Sequence, residues 1–365
     1  MKTAIIHYWL CNRRGGERVL EALCELFPQA DIFTHVHDPQ TLDSPVIRRH
    51  NVYTTFIDKL PFAKTKYQWY LPLMPLALEQ LDLREYDLIL SSESGPAKGV
   101  LVAPTARHIC YCHSPMRYVW DMQPEYFADA SIIKKILAAP LLHYLRMWDA
   151  STANRVDSFV ANSTCIQRRI ELCYRREATV IHPPVDVDDF DPTQPRDDFY
   201  LLAGELVPYK KPELAVAACN ALGKKLVVIG GGPMEERIRE MAGPTVQVLG
   251  RQPFQVLRDN LARCKALLFP GMEDFGILPV EAMASGAPVI AYGKGGILDS
   301  AIDAKTAIFF EQQTAHSLEA AINRFEAAGV EWTAEEIARQ VQRFSKKEFL
   351  ENMKRHISAE LKQDI

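Results

Sequence analysis

Short apolar runs alternate along this chain with longer segments whose apolar positions recur at helical spacing. Lys2–Tyr8 reads as a first strand. A polar turn carrying Gly15 and Gly16 follows, and then Glu17–Leu26, in which Val19, Leu20, Leu23 and Leu26 mark one face of a helix. Asp31–His35, Asp87–Ser91 and Arg107–Cys112 are further short strands, and Leu141–Val156 is a long helix. Ser158–Ala161 is a strand followed by Asn162 and Ser163, which suit the cap of the next helix, and Val180–Ile181 closes the first half. Residues 182–195 are rich in proline and aspartate and predict an inter-domain linker. The pattern then restarts. Strands are predicted at Phe199–Ala203, Lys225–Ile229, Val246–Leu249, Ala266–Phe269 and Pro288–Ala291, with helices between them, including Glu213–Leu222 and one from Met234. Glu335–Leu361 reads as amphipathic terminal helices.

Short parallel-type strands alternating with helices predict an α/β fold with helices on both faces of each sheet, built twice. The expected domains are 1–185 and 186–345, with the helix at about 346–365 packing back on the first. Sheets of this kind bind ligands outside the carboxyl ends of their strands, so a central cleft between two such edges is the expected site.

Composition narrows the classes. Lys and Arg number 42 against 46 Asp and Glu, a net charge of −4, which argues against broad, non-specific nucleic-acid binding. No apolar stretch looks long enough to span a bilayer; Ile132–Tyr144 is broken by Lys134, Lys135 and Pro140. The first residues lack the apolar core and cleavage site of a signal peptide, so a cytoplasmic protein is expected. The cysteines at 11, 24, 110, 112, 165, 173, 219 and 264 are scattered, as free thiols in a reducing compartment would be. Cys110-Tyr111-Cys112-His113 has no second Cys/His pair at zinc-site spacing, so no metal is expected.

Some residues do not look like core filler. Residues 270–286 follow a strand and open a helix that is apolar nearly all round, and therefore buried. Glu281 in that helix needs a partner, and a ribose diol would offer two hydroxyl donors. The backbone N–H groups of Gly276, Ile277 and Leu278 at the helix start suit a diphosphate. Glu273 lies earlier in the same loop. The plain alternative is that Glu273 and Asp274 complement the helix dipole while Glu281 forms an internal ion pair. Gly230-Gly231-Gly232 is either a tight turn or a ligand contact. Gly15 and Gly16 are either an ordinary turn or a place where backbone approaches an anion. Lys210 and Lys211 are either solvated or phosphate-binding, and His113 is either structural or exposed to ligand at a strand end.

In combination these segments resemble the retaining glycosyltransferases of the glycogen-synthase-like superfamily, which have the GT-B fold. Glu273 and Glu281 within EDFGILPVEAMASG match that family's E-x7-E motif, and Gly15-Gly16-Glu17-Arg18 its N-terminal glycine loop. CYCHSPMRYVWD, YLLAGELVPYKKPELAVAA and VIAYGKGG look closest to the WbaZ-like branch of bacterial polysaccharide mannosyltransferases. The resemblance implies that Lys210 and the Gly16 backbone N–H contact the donor diphosphate. It implies that Glu281 holds the ribose, Glu273 helps to place the transferred sugar, His113 lies by the reacting centre, and Gly250 and Arg251 lie near the base. One position departs from the family: Glu205 stands where an arginine is usual, with Lys294 and Arg251 as substitute cations.

The implied reaction is retaining transfer from a nucleotide sugar, GDP-mannose by branch, without a divalent metal or cofactor. The implied acceptor is a lipid-linked oligosaccharide of O-antigen or exopolysaccharide assembly at the cytoplasmic face of the inner membrane. Arg13, Arg14, Arg48, Arg49, Lys59, Lys64 and Lys66, near Phe62, Tyr67, Trp69 and Tyr70, suit an anionic bilayer surface. A UDP-sugar donor, a sugar-nucleotide epimerase of the same fold, and a non-catalytic nucleotide-sugar-binding protein are the alternatives.

Overall fold

The computed structural model describes residues 1–123 and 131–363. The chain divides into two compact units. One runs to Pro184 and includes the C-terminal residues from Lys347; the other is Val185–Lys346.

The first unit is built on a seven-stranded sheet of order β3-β2-β1-β4-β5-β6-β7. Its strands are β1 (Thr3–His7), β2 (Asp31–Thr34), β3 (Val52–Thr54), β4 (Leu88–Glu93), β5 (Arg107–Cys112), β6 (Ser158–Ala161) and β7 (Ala178–Val180). Every pairing is parallel. Both faces of β1 are covered: Ala4 and Ile6 pack into one core cluster, Ile5 into another. That two-sided burial is why β1 reads as a continuous apolar run. The helix Lys346–Leu361 belongs largely to this unit. Its Phe349, Met353 and Ile357 recur every four residues and pack with Leu20, Leu23 and Tyr111.

The second unit has a six-stranded parallel sheet of order β10-β9-β8-β11-β12-β13. These strands are β8 (Tyr200–Ala203), β9 (Leu226–Ile229), β10 (Val246–Gly250), β11 (Ala266–Phe269), β12 (Val289–Tyr292) and β13 (Ala307–Phe310). Each unit is therefore a Rossmann-like α/β domain. In each, the strand order reverses beside the first strand, between β1 and β4 and between β8 and β11. Such reversal points leave a crevice at the strand carboxyl ends.

The structure departs from the periodicity at particular places. The first helix spans Gly15–Leu26, so both glycines lie inside its first turn instead of in a preceding loop. The long helix spans Ile132–Thr152, nine residues more at its N-terminus than the apolar pattern suggested. Lys134, Lys135 and Pro140 disguised that part, but the Ser131 side chain caps the helix by accepting from the Lys134 N–H. Strands β3 and β13 were missed: β3 is a three-residue, partly buried edge, and β13 has only four residues. Among the described residues no helix is long and apolar enough to cross a membrane. All eight cysteines are free thiols.

Candidate functional site

In the second unit, adjacent strands bring Lys210 and Glu273 together. Lys210 ends the turn Pro208–Lys210 after β8, and Glu273 lies in the loop after β11, the strand paired with β8. The Lys210 Nζ is 2.8 Å from Glu273 Oε1. Burial works against the lysine charge, but Glu273, Tyr209 and Glu205 together outweigh it and raise its pKa above the ordinary value. Glu205 thus adds a second negative charge near Lys210, and the locality is not simply cationic. Of the two substitute cations, Lys294 Nζ lies over the Tyr292 ring at 5.6 Å, and Arg251 lies against Gly231.

The loop bearing Glu273 is held from both sides at distances only glycine allows. A Cβ on Gly271 would stand 2.8 Å from Lys210 Cα, and one on Gly296 2.2 Å from Asp274 O. The Gly296 N–H donates to Glu273 O at 2.9 Å. Gly276, at φ +86°, then opens the helix Ile277–Ala284, which begins with the amides of Ile277 and Leu278. Glu281 lies in that helix and is only 4% exposed. Gly250 closes β10 at φ +70°, and its neighbour Arg251 covers the Gly230–Gly232 turn.

In the first unit a polar chain crosses the carboxyl ends of three strands. The β1–β4 register sets His7 opposite Ser92, and His113 follows β5. Ser92 Oγ is 3.1 Å from His7 Nδ1 and 2.9 Å from His113 Nε2. On the far side, His7 Nε2 is buried, lacks a hydrogen-bond partner, and lies 3.5 Å from Glu17 Oε1. Glu17 Oε2 already accepts from the Arg14 N–H at 2.7 Å. Burial, then the nearby His7, pushes the His113 pKa down to about 3, so the ring is neutral and has one donor and one acceptor nitrogen.

One polarity of this chain suits its acidic end. A carboxylate only accepts, so a proton on His7 Nε2 would face Glu17, although at 3.5 Å the two make no hydrogen bond. In that tautomer His7 Nδ1 would accept from the Ser92 hydroxyl, Ser92 Oγ would accept from His113 Nε2–H, and His113 Nδ1 would keep its lone pair. The His113 backbone is fixed as well: its N–H donates to Glu93 O at 2.8 Å, and its carbonyl accepts from Asn162 Nδ2 at 3.0 Å. Gly16 packs onto the same group. A Cβ there would stand 2.2 Å from the Tyr8 hydroxyl and 3.6 Å from His113 Nε2. Gly15 is the first residue of that helix.

Sequence reasoning missed His7 and Ser92. The available signal was a polar residue ending an otherwise apolar run, at His7 after Ile6 and at Ser91–Glu93 after Leu90. It also missed a fully buried ionic cluster. Lys98 Nζ donates to Glu93 Oε1 at 2.6 Å and to Asp149. Asp149 Oδ2 also accepts from Trp120 Nε1 at 2.7 Å and from the Tyr174 hydroxyl at 2.9 Å. Nothing local in the sequence distinguishes Lys98 from a solvated lysine. The basic surface expected in this unit is only partly present: Arg13 pairs with Glu21, Arg48 with Asp43, and Tyr67 is buried beside Trp9.

Comparison with known proteins follows this division. The family model of glycosyl transferases group 1 matches residues 188–355, and that of Glycosyltransferase Family 4 matches 13–189. An uncharacterised glycosyltransferase of Methanocaldococcus jannaschii is 25% identical over 167 residues, 44% of this chain and 47% of the relative. The chain thus spans about half the length of the curated relatives it matches. Among solved structures, Anabaena HepE in complex with UDP-glucose superposes with a TM-score of 0.70 at 15% identity, over 98% of this chain and 100% of that one. The lipopolysaccharide outer core galactosyltransferase WaaB superposes with a TM-score of 0.68 at 17% identity, over 99% and 100%. These likenesses are of fold: the GT-B arrangement of two Rossmann-like domains. The first unit thus matches the Family 4 model and the second the group 1 model, and the two together span residues 13–355.

Proposed function

We propose that this protein is a retaining glycosyltransferase that moves a hexosyl group from a nucleotide sugar to an acceptor hydroxyl without a metal or other cofactor. The observation that carries the reading is the Lys210–Glu273 pair at the strand reversal of the second unit, followed by buried Glu281. Lys210 binds the donor diphosphate, exchanging Glu273 for phosphate oxygens, and stabilises the charge that grows on the leaving group. The amides of Gly276, Ile277 and Leu278 add to that stabilisation. Glu281 accepts from the ribose hydroxyls, Gly250 and Arg251 border the base, and the Gly16 amide meets the diphosphate. Glu273, released from Lys210, orients the hydroxyls of the sugar. His113 Nδ1, kept as an acceptor, holds a further sugar or acceptor hydroxyl.

The bond from C1 to the phosphate oxygen breaks, and one from C1 to the acceptor oxygen forms on the same face. The acceptor proton passes to the leaving phosphate, giving a nucleoside diphosphate. The donor is GDP-mannose on the branch resemblance. A UDP-sugar is the second reading, favoured by the fold likeness to a protein solved with UDP-glucose. The acceptor is a lipid-linked oligosaccharide of bacterial polysaccharide or lipopolysaccharide assembly, met by a peripheral protein at the cytoplasmic face of the inner membrane.

The test supplies radiolabelled GDP-mannose or UDP-hexoses with membrane lipid extract. Label in the lipid fraction supports transfer, and the donor that supplies it settles the nucleotide. Lys210→Ala is expected to lower incorporation about 100-fold or more, on the scale of a lost oxyanion donor. Incorporation at the wild-type rate by both Lys210→Ala and Glu281→Gln would overturn the site. Donor turnover without acceptor would favour an epimerase, and nucleotide binding without turnover a scaffold.

A further inference from the structure

The helix Ile132–Thr152 carries two faces. Leu142, Leu145 and Trp148 pack into the core of the first unit. On the opposite side Ile132, Ile133, Ile136, Leu137, Tyr144 and Met147 are exposed, Ile132 by 70% and Leu137 by 73%. At 3.6 residues per turn these six fall within an arc of about 140°, forming a mostly apolar stripe roughly 24 Å long at 1.5 Å per residue, with exposed His143 inside it. A stripe of that size facing water needs an occupant.

Charge identifies it. From Ser131 to Trp148 there is no acidic residue, while Lys134 and Lys135 are exposed beside the stripe. A second acid-free stretch, Lys59–Leu78, carries Lys59, Lys64 and Lys66 with the exposed rings of Phe62 and Trp69. Lys66 Nζ lies over the Trp69 ring at 4.4 Å. The two stretches belong to one side of the sheet: Leu71 and Leu141 join the same core cluster, and Arg155 bridges to Glu79 at 2.7 Å. Protein interfaces are depleted in lysine, whereas an anionic bilayer favours aliphatic and aromatic residues edged with it.

We infer that the exposed stripe of Ile132–Met147 lies in the headgroup boundary of an anionic lipid bilayer, with the Phe62–Trp69 segment as a second contact. The inference rests on the lipid-acceptor reading for its purpose and supplies that reading with a surface. It moves the membrane contact away from Arg13 and Arg48, which are paired. Insertion of apolar side chains makes the attachment partly resistant to salt, unlike a purely electrostatic one.

The test is sedimentation of the full chain with vesicles of phosphatidylethanolamine and phosphatidylglycerol, against vesicles of phosphatidylcholine alone. Wild-type protein is expected to bind the anionic vesicles and to keep part of that binding in 0.5 M salt (about a 4 Å Debye length). Ile133→Gln/Leu137→Gln and Lys134→Gln/Lys135→Gln are each expected to weaken binding by about tenfold or more. All four positions are exposed, and unchanged thermal unfolding checks the fold. Wild-type protein that stays in the supernatant, or variants that bind as wild type, would overturn the inference. So would a dimer in light scattering that Ile133→Gln/Leu137→Gln abolishes, since a second protein copy would then own the stripe. Because vesicle binding needs no donor, it can succeed while label transfer fails, and the reverse.

Discussion

Ser92 Oγ stands 2.9 Å from His113 Nε2, and the same oxygen lies 3.1 Å from His7 Nδ1. One hydroxyl therefore lies within hydrogen-bond reach of two imidazoles, and can donate to one while accepting from the other. The parallel register of β1 with β4 makes this possible, because it sets His7 beside Ser92 at the edge where β5 releases His113. Strand pairing thereby supplies the hydroxyl partner of His113 Nε2.

Removing the shared hydroxyl takes that partner away. Ser92→Ala is expected to lower kcat about five- to tenfold, the worth of one hydrogen bond of about 1 kcal/mol, with the donor KM little changed. Nitrogen NMR of the His113 ring is expected to show the Nε2–H tautomer in the wild type and a mixture in Ser92→Ala. Ser92→Thr keeps the hydroxyl and should keep the rate. Equal kcat in wild type and Ser92→Ala would remove the chain from the reaction.

Gly16 is required by Tyr8. Gly16→Ala places a methyl group 2.2 Å from the Tyr8 hydroxyl and must displace that buried ring. Activity is expected to fall sharply. Tyr8→Phe removes the clashing oxygen, so Gly16→Ala/Tyr8→Phe should recover part of the loss. That non-additivity, read in a double-mutant cycle of kcat/KM, is the signature of direct contact; additive losses would contradict it.

The buried Lys98 cluster sets a stability prediction. Lys98→Met leaves Glu93 and Asp149 in the core without their shared cation. A loss of about 3–5 kcal/mol is expected, the usual result of breaking a buried pair from one side. Urea denaturation followed by fluorescence measures it. A change below about 1 kcal/mol would mean that the carboxylates find other partners or take up protons at small cost.

Acid sensitivity follows from three neutral histidines. Burial pushes His35 and His113 down to about 3 and His108 to about 4. In the unfolded chain each takes a proton near pH 6.5, whereas the folded protein resists until pH 3–4. The unfolded state then binds more protons, so stability is whole above about pH 6.5 and is lost as pH falls towards 4. Each histidine contributes up to about 1.4 kcal/mol per pH unit in that window. His108 Nδ1 lies 3.0 Å from Arg155 O and Nε2 2.8 Å from Ser91 Oγ. His108→Asn is expected to reduce the slope by about one proton; urea midpoints from pH 7 to 5 test this.

Some of this protein is written locally in its sequence. The strands β1, β5, β9 and β11 are apolar runs because both faces of each sheet are covered, so burial alone specifies them. The loop from Pro270 to Gly286 was legible for the same local reason: glycines and a proline punctuate it, and Glu281 is out of place on an apolar helix. Those cues also placed Lys210, Glu273 and His113 at strand ends. What the sequence could not hold is which ends are neighbours. That β8 lies beside β11, bringing Lys210 to Glu273, and that β1 lies beside β4, joining His7 to Ser92, depends on strand order, a contact between residues about 60 to 85 positions apart. The burial of Lys98 likewise depends on Asp149, 51 residues away. Local pattern reports how a segment meets water; only the closed tertiary packing decides which buried charge meets which partner.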